Sequence, residues 1–177
     1  MNFNNTTIGL ASDHAGFAFK EIIKSHLEER GLTHVDFGTY STESCDYTDF
    51  AHKLINAIET NELEMGIALC GTGNGMVITL NKSECIRAGL AWNVDVAKLI
   101  SGHNKANILV IPARFIIPDE LTRIVDAFLD TPFEGGRHLV RINKISPPVI
   151  ARNEAKRNCL QEKSLKYTTT WHPKGDV

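Results

Sequence analysis

Short apolar segments alternate with amphipathic ones along most of this chain. Five of them are typical of buried strands: 7–12, 34–37, 65–69, 86–90 and 107–111. Segment 15–29 carries apolar residues at helical spacing, Asn93 is typical of a helix N-cap, and Pro118 is typical of a first helical position. Strands that alternate with helices form parallel sheets with right-handed crossovers, and apolar strands are typical of sheets covered on both faces. The sequence therefore predicts an α/β fold with a five-stranded parallel sheet.

The composition is that of an ordinary globular protein. The chain has 177 residues, of which 42% are hydrophobic and 23% charged, which is enough apolar material for one proper core. The net charge of −2 gives no broad basic surface for nucleic acid or an anionic membrane. The N-terminal residues lack the basic and apolar regions of a secretion signal, and the four cysteines form no C-x-x-C pair. We therefore expect a cytoplasmic protein with reduced thiols and no nucleic-acid or membrane partner.

The pattern changes near the C-terminus. Residues 135–138 read as a loop, and a polar helix is predicted from about 148 to 163, followed by a tail. We therefore expect residues 1–145 to form the main domain. Residues 146–177 are expected to be a C-terminal helical extension, part of the same domain or packed on a partner subunit.

A glycine-rich loop follows the third predicted strand. Cys70 ends that strand, and three glycines occur in the five residues 71–75. Glycines allow a tight turn in which several backbone N–H groups point at one spot. The carboxyl edge of a parallel sheet is also where ligands bind in open α/β folds. The sequence therefore predicts an anion-binding loop with a thiol beside it.

Several chemistries can be weighed for this loop. The glycine spacing is not that of a dinucleotide fingerprint, and no lysine is placed as in a P-loop. A cysteine phosphatase needs an arginine six positions after the thiol, where this chain has Met76. Acid–base catalysis remains, with Cys70 as the base and the loop amides stabilising a developing oxyanion. The alternative is that Cys70 is only a small buried residue at a tight turn.

Other polar residues are candidates for the same site. Asp13 and His14 follow the first strand at the carboxyl edge, although Asp13 is also suited to cap the next helix. Tyr47 could contact a sugar hydroxyl or merely pack in its loop. A set of basic residues could clamp a phosphate, although each alone is more often simply solvated: Arg114, Arg137, His138 and Arg141. No histidine spacing is typical of a metal site, so neither a metal nor a cofactor is expected.

At these residues the chain resembles a known family of enzymes. It is similar to the type B ribose-5-phosphate isomerases, which group with the galactose-6-phosphate isomerase subunits, over about residues 8–145. The matching segments occur in order along the chain: Ser12–Gly16, Asp36–Thr39, Cys45–Tyr47, Cys70–Gly73, His103-Asn104 and Glu134–His138.

The resemblance implies a fold and a reaction. It implies a Rossmann-like three-layer α/β/α sandwich, assembled as a homodimer or homotetramer with an active site shared between subunits. It also implies cofactor-free aldose–ketose isomerisation of a phosphosugar. In such enzymes the thiol matching Cys70 moves a proton between C1 and C2 through a cis-enediolate, Thr72 assists, and the histidine matching His103 helps to open the furanose ring.

The resemblance also implies which residues bind the substrate. The phosphate-binding positions match His14, Arg137 and Arg141, with Arg114 as an addition, and the sugar-contacting positions match Asp13 and Tyr47. The remaining candidate substrate-binding residues are Gly71, Gly73, Asn74, Gly75 and Asn104. Asn74 stands where many relatives have an apolar residue, and it could contact the sugar or only shape the turn.

The expected function is conversion of D-ribose 5-phosphate to D-ribulose 5-phosphate. One alternative is isomerisation of another phosphosugar, such as galactose or allose 6-phosphate or a tetrose phosphate. Another is a non-catalytic phosphosugar-binding subunit of a hetero-oligomer, and a third is a flavodoxin-like nucleotide-binding domain.

Overall fold

A computed structural model describes residues 6–145 of the chain. Its five strands form one all-parallel sheet in the order β2-β1-β3-β5-β4. The strands are β1 (Ile8–Ser12), β2 (His34–Asp36), β3 (Met65–Cys70), β4 (Ala88–Leu90) and β5 (Ile108–Pro112). The helices are α1 (Phe17–Glu29), α2 (Tyr47–Glu59), α3 (Asn74–Leu80), α4 (Val94–Gly102), α5 (Pro118–Asp130) and α6 (Gly136–Ile142). The predicted α/β fold with five parallel strands is confirmed.

Helices cover both faces of the sheet. Successive side chains of each strand point to opposite faces, so both sets of side chains are buried. Leu10, Leu69 and Ile111 are buried on the face covered by α1, α4 and α5. Ala68 and Val110 are buried on the other face, against α2 and α3. This double burial explains why the strands are nearly all apolar, and the predicted three layers are present.

The starts of helices α4 and α5 follow the sequence signals, and the start of α6 does not. The Asn93 side chain accepts a hydrogen bond from the Val96 amide at 2.8 Å and so caps α4, and Pro118 begins α5. The prediction of a loop over 135–138 is wrong, because α6 begins at Gly136. Gly135 and Gly136 both have positive φ, so the two glycines turn the chain and the helix starts directly from the turn.

The described residues divide into two compact units, 6–139 and 140–145. The predicted helix at 148–163 and the tail lie outside the described residues, and the domain boundary at residue 145 stays a prediction. Within residues 6–145, no helix is long and apolar enough to cross a membrane.

The strand order reverses between β1 and β3. From β1 the chain goes outward to the edge strand β2, whereas from β3 it goes to the opposite edge strand β4 and then back to β5, which lies between β3 and β4. In open α/β sheets the point where the order reverses opens a crevice at the carboxyl ends of the strands, and ligands bind there. Cys70 is the last residue of β3, and Asp13 follows directly after β1.

Candidate active site

The thiol of Cys70 lies at the inner end of the glycine loop. Its side chain is only 4% exposed, and Sγ accepts a hydrogen bond from the Gly73 amide at 3.1 Å. Gly73 has a φ of 75°, and a Cβ there would lie 2.3 Å from Cδ1 of Leu90. Only glycine therefore fits the turn that folds the loop back onto the sulfur. One side of the sulfur contacts the apolar core, and the other receives a backbone N–H group.

Two polar side chains border the loop on either side. The Arg114 amide donates to the Gly71 carbonyl at 3.0 Å, and a Cβ on Gly71 would lie 3.3 Å from Nε of Arg114. A Cβ on Gly75 would lie 2.5 Å from Cζ of Tyr47 and 2.8 Å from its hydroxyl oxygen. The structure thus brings a guanidinium group and a phenol against a loop of amides, as the sequence-based hypothesis requires.

The end of β1 adds two more of the predicted residues. The amide of Asp13 donates to the Leu69 carbonyl at 3.2 Å, so this residue lies beside the last residues of β3. Its Oδ1 accepts hydrogen bonds from the Ala15 and Gly16 amides at 2.9 and 3.0 Å, and the carboxylate therefore closes the turn that leads into α1. The N-cap of α1 is Gly16, so the prediction that Asp13 caps this helix is wrong. Asp13 is 7% exposed, so these hydrogen bonds hold a buried carboxylate at the carboxyl end of β1.

His14 is oriented by the loop that leads into α2. Its Nδ1 accepts a hydrogen bond from the Cys45 amide at 3.3 Å. An imidazole that accepts at Nδ1 carries its proton on Nε2 when neutral. The ring therefore presents an N–H donor away from Cys45, which is the group that an anionic ligand needs.

The loop 37–46 is anchored by a buried ion pair that the sequence reasoning did not assign to the site. The Lys20 side chain is fully buried, and its ammonium group bonds to the Asp36 carboxylate at the end of β2. Asp36 also accepts a hydrogen bond from the Gly38 amide at 2.9 Å. Burial alone would raise the pKa of Asp36, but the hydrogen bonds from Lys20, Gly38 and Lys24 outweigh it and hold that pKa below its ordinary value.

A second cluster contains the remaining predicted groups of the first unit. His103 is the C-cap of α4, and its ring stacks on that of His138 with the centroids 4.0 Å apart. The Glu134 carboxylate lies near both rings, with Oε1 3.4 Å from Nε2 of His103 and Oε2 3.6 Å from Nε2 of His138. Arg137 donates from Nε to Nε2 of His138 at 3.4 Å, and Asn104 is exposed beside His103. Sequence reasoning assigned no role to Glu134, since only the fold brings it to His103.

The two clusters lie at opposite edges of the sheet. A helix that connects parallel strands starts at the carboxyl edge and returns to the amino edge. His103 follows the last turn of α4, just before β5, and so lies at the amino edge, whereas Cys70 lies at the carboxyl edge. A single chain therefore does not bring His103 and Arg137 to the thiol.

The other candidate residues are placed by their elements. Thr72 and Asn74 are exposed on the glycine loop, where Oγ1 of Thr72 accepts a hydrogen bond from the Asn74 amide at 3.3 Å. Arg141 lies on α6 and belongs to the second unit. Contacts between these side chains and a ligand stay predictions.

Comparison with known proteins agrees with the fold and with the motifs. The sequence profile of the Ribose/Galactose Isomerase family matches residues 8–145. Ribose-5-phosphate isomerase B of Escherichia coli is 38% identical over 146 residues, which cover 82% of this chain and 98% of that protein.

Solved structures of similar proteins carry the same description. The crystal structure of a ribose 5-phosphate isomerase from Thermotoga maritima has 50% sequence identity and a TM-score of 0.77, covering 80% of this chain and 97% of that one. Ribose-5-phosphate isomerase B from Mycoplasma genitalium, solved with bound ribulose-5-phosphate, has 38% identity and a TM-score of 0.75, covering 80% and 94%. The resemblance seen in the sequence is thus confirmed, and the chain belongs to the Ribose/Galactose Isomerase family.

Proposed function

We propose that this chain is a cofactor-independent aldose–ketose isomerase that converts D-ribose 5-phosphate to D-ribulose 5-phosphate. The observation that carries the proposal is the Cys70 thiol bonded to the Gly73 amide at the carboxyl end of β3, where the strand order reverses. A base beside a loop of N–H donors suits a reaction in which a carbon-bound proton moves while an oxygen becomes negative. The similar Mycoplasma genitalium protein, solved with ribulose-5-phosphate, supports this substrate.

In the proposed reaction Cys70 takes a proton from C2 of the sugar and returns it to C1. The Cys70 thiolate removes the proton from C2 of the open-chain aldose, and the electron pair moves through C1 to leave a cis-enediolate with its charge on O1. The amides of residues 71–75 hold that oxygen, and each such donor is worth about 3 kcal/mol in the transition state. The thiol then returns the proton to C1, while the O2 proton passes to O1 with help from Thr72, and the ketose results.

The other candidate residues bind the substrate and open its ring. His14, Arg137 and Arg141 hold the phosphate, with Arg114 at the loop as an addition. His103 protonates the ring oxygen of the furanose so that the reactive open chain forms. Sugar contacts come from the set Asp13, Tyr47, Asn74 and Asn104.

The placement of the clusters supports a site shared between two copies of this chain. Cys70 and His103 lie at opposite edges of one sheet, so both can reach one sugar only if they come from different subunits. We therefore infer a homodimer, or a tetramer built from such dimers, with the thiol from one subunit and the imidazole from its partner copy. A phosphorylated sugar does not cross a membrane unaided, so we place the enzyme in the cytoplasm, with its substrate.

Replacing the proposed base tests the reaction. Cys70→Ala is expected to lower kcat by about three orders of magnitude, since general bases contribute that much. Calorimetric binding of ribose 5-phosphate should change little, because the phosphate contacts remain. Cys85→Ala is the matched control, since Cys85 is an exposed thiol away from the loop. Wild-type turnover in Cys70→Ala would remove the proposed base.

A subunit mixture tests the shared site. Cys70→Ala and His103→Ala chains should each be nearly inactive alone. When they are unfolded and refolded together, half of the dimers combine one chain of each kind, and each such dimer has one intact site. Activity should then return to about a quarter of the wild-type value. No recovery would indicate that the two groups do not meet across a subunit boundary.

A substrate panel separates the remaining alternatives. Phosphates of ribose, allose, galactose and a tetrose are compared by NMR detection of ketose formation. A preference for a six-carbon or four-carbon sugar would correct the substrate and leave the chemistry intact. Activity that appears only after a related chain is added would favour the non-catalytic subunit instead.

A further inference from the structure

Three potential metal ligands lie close together at His103, Glu134 and His138. The proposed ring opening uses only the imidazole of His103. The two imidazole Nε2 atoms lie 3.4 and 3.6 Å from the Glu134 carboxylate oxygens, and all three ligand atoms lie within 4.8 Å of one another. These separations are longer than the usual 2.7–3.2 Å of a hydrogen bond. Each is close to the edge of about 3.3 Å in a tetrahedron with metal–ligand bonds of about 2.0–2.1 Å. The two distances end on different oxygens of Glu134, so the carboxylate must rotate to present one oxygen near both imidazoles.

The backbone holds the three residues together before any ligand binds. The Glu134 amide donates to the Gly102 carbonyl at 2.9 Å, and Gly102 directly precedes His103. The His138 side chain is 9% exposed and that of His103 is 32% exposed, while the carboxylate is largely open. Two imidazoles with an accessible carboxylate are a ligand set typical of zinc sites, with a further position left for water.

The charges around the group are compatible with cation binding if the Arg137 side chain moves away. The Nε–H group of Arg137 is directed at Nε2 of His138 over 3.4 Å, which favours the unprotonated nitrogen that binds a metal. The guanidinium must leave this nitrogen when a cation arrives. The stacked rings, now 13° from parallel, must also tilt so that both lone pairs converge on one point. The Glu134 carboxylate offsets the charge of the ion.

We propose that His103, Glu134 and His138 bind a divalent cation of the zinc type, and that the bound ion inhibits the enzyme. The inhibitory part rests on the proposed function, because it requires His103 to open the sugar ring. An Nε2 atom occupied by zinc has no proton to give, so the closed sugar accumulates. The site is regulatory, and the reaction itself takes place without the ion.

The first experiment measures metal binding without reference to catalysis. Co²⁺ is titrated into the purified full-length chain with any affinity tag removed, and the visible spectrum is recorded. One equivalent should produce the absorption of four-coordinate cobalt with no thiolate-to-metal charge-transfer band, and Zn²⁺ should displace it. A thiolate band would place the ion on the cysteines and overturn the proposal, as would the absence of binding at micromolar Co²⁺.

Variants locate the ion. Glu134→Gln and His103→Asn are expected to weaken Co²⁺ binding by at least about tenfold, because each removes one of the three ligands. Glu64→Gln is the matched control, since Glu64 is an exposed carboxylate outside the group. Affinities of both test variants within about twofold of the wild type would overturn the site.

A second experiment tests inhibition. Zn²⁺ should lower the isomerase rate of the wild type reversibly, with recovery after a chelator is added, and each variant is compared with its own zinc-free rate. Glu134→Gln should need at least about tenfold more Zn²⁺ for the same inhibition. Metal binding without any isomerase activity would leave the site standing and refute the proposed function. Isomerase activity with no metal bound by the three residues would do the reverse.

Discussion

Replacing Lys20 with methionine is expected to lower the free energy of unfolding by about 4 kcal/mol. The Lys20 side chain is fully buried in the protein interior. It pairs there with Asp36, whose side chain is 13% exposed. Its ammonium group also lies 5.6 Å from the ring centroid of Phe17 and 5.4 Å from that of Tyr40. Methionine keeps the aliphatic bulk of the side chain but removes the charge.

The magnitude follows from what the substitution leaves behind. Removing one partner of a buried ion pair costs about 3–5 kcal/mol, because the other charge stays buried. Lys24 lies 3.1 Å from Asp36 and the Gly38 amide still donates to it, so the lower end, about 3 kcal/mol, is expected. The two lost cation–π contacts add about 1 kcal/mol together.

Urea unfolding followed by circular dichroism measures the effect. The protein concentration is held fixed, because the proposed subunit interface would make the apparent stability depend on it. Lys24→Met is the matched control, since this side chain is 26% exposed and its loss should cost less than about 1 kcal/mol. The double variant Lys20→Met/Asp36→Asn should recover about half of the loss, because no unpaired charge remains.

The pH dependence supplies an independent check. The pKa of Asp36 is held below its ordinary value of 3.8, so ionised Asp36 contributes stability above that pH. The contribution is lost as the pH falls through the lowered pKa. The difference between the wild type and Lys20→Met should therefore narrow below pH 3.8. A loss under about 1 kcal/mol at neutral pH, or the same loss in the Asp36→Asn background, would refute the reasoning.

Two substitutions in the glycine loop give further predictions. Gly75→Ala places a Cβ 2.5 Å from the Tyr47 ring, so the ring must move and KM should rise in steady-state assays. Helix α3 gains about 1 kcal/mol from alanine, so the midpoint of unfolding should stay near that of the wild type, and an unchanged KM would contradict this account. In Gly73→Ala the alanine must adopt a positive φ, and its Cβ lies 2.3 Å from Cδ1 of Leu90. This variant should therefore lose at least about 1–2 kcal/mol of stability as well as activity. A stable, fully active Gly73→Ala protein would show that the loop does not need this turn.

Much of this architecture is predictable from local sequence signals. Apolar strands, the Asn93 cap and Pro118 are each read from neighbouring residues, so the strands and most helices were predicted to within a few residues. The nearness of Asp13 to Cys70 followed from one rule, that parallel strands end at the same edge. The helix at 136–142 was missed because two glycines normally indicate a loop, whereas here they form the turn that starts it.

The rest depends on pairings that no local pattern contains. Lys20 reads as an ordinary residue of an amphipathic helix, and only the position of β2 beside β1 gives it Asp36 as a partner. Glu134 and His138 follow α5, and only the packing of α4 beside α5 brings His103 to them. Spacing rules for metal sites detect ligands that are near one another in sequence. His103 is far from Glu134 and His138 in sequence, so these rules do not detect the group.

The separation of the two clusters constrains any mechanism for this chain. Helix α4 has nine residues, so at 1.5 Å per residue it carries the chain about 13 Å from the carboxyl edge towards the amino edge before His103. A proton donor must come within about 3 Å of the atom that it protonates. Ring opening by His103 and proton abstraction by Cys70 in the same chain would thus act on atoms too far apart to belong to one pentose. If both residues act on one sugar, two copies of the chain must face each other, and a monomer should bind phosphosugar weakly and turn over none.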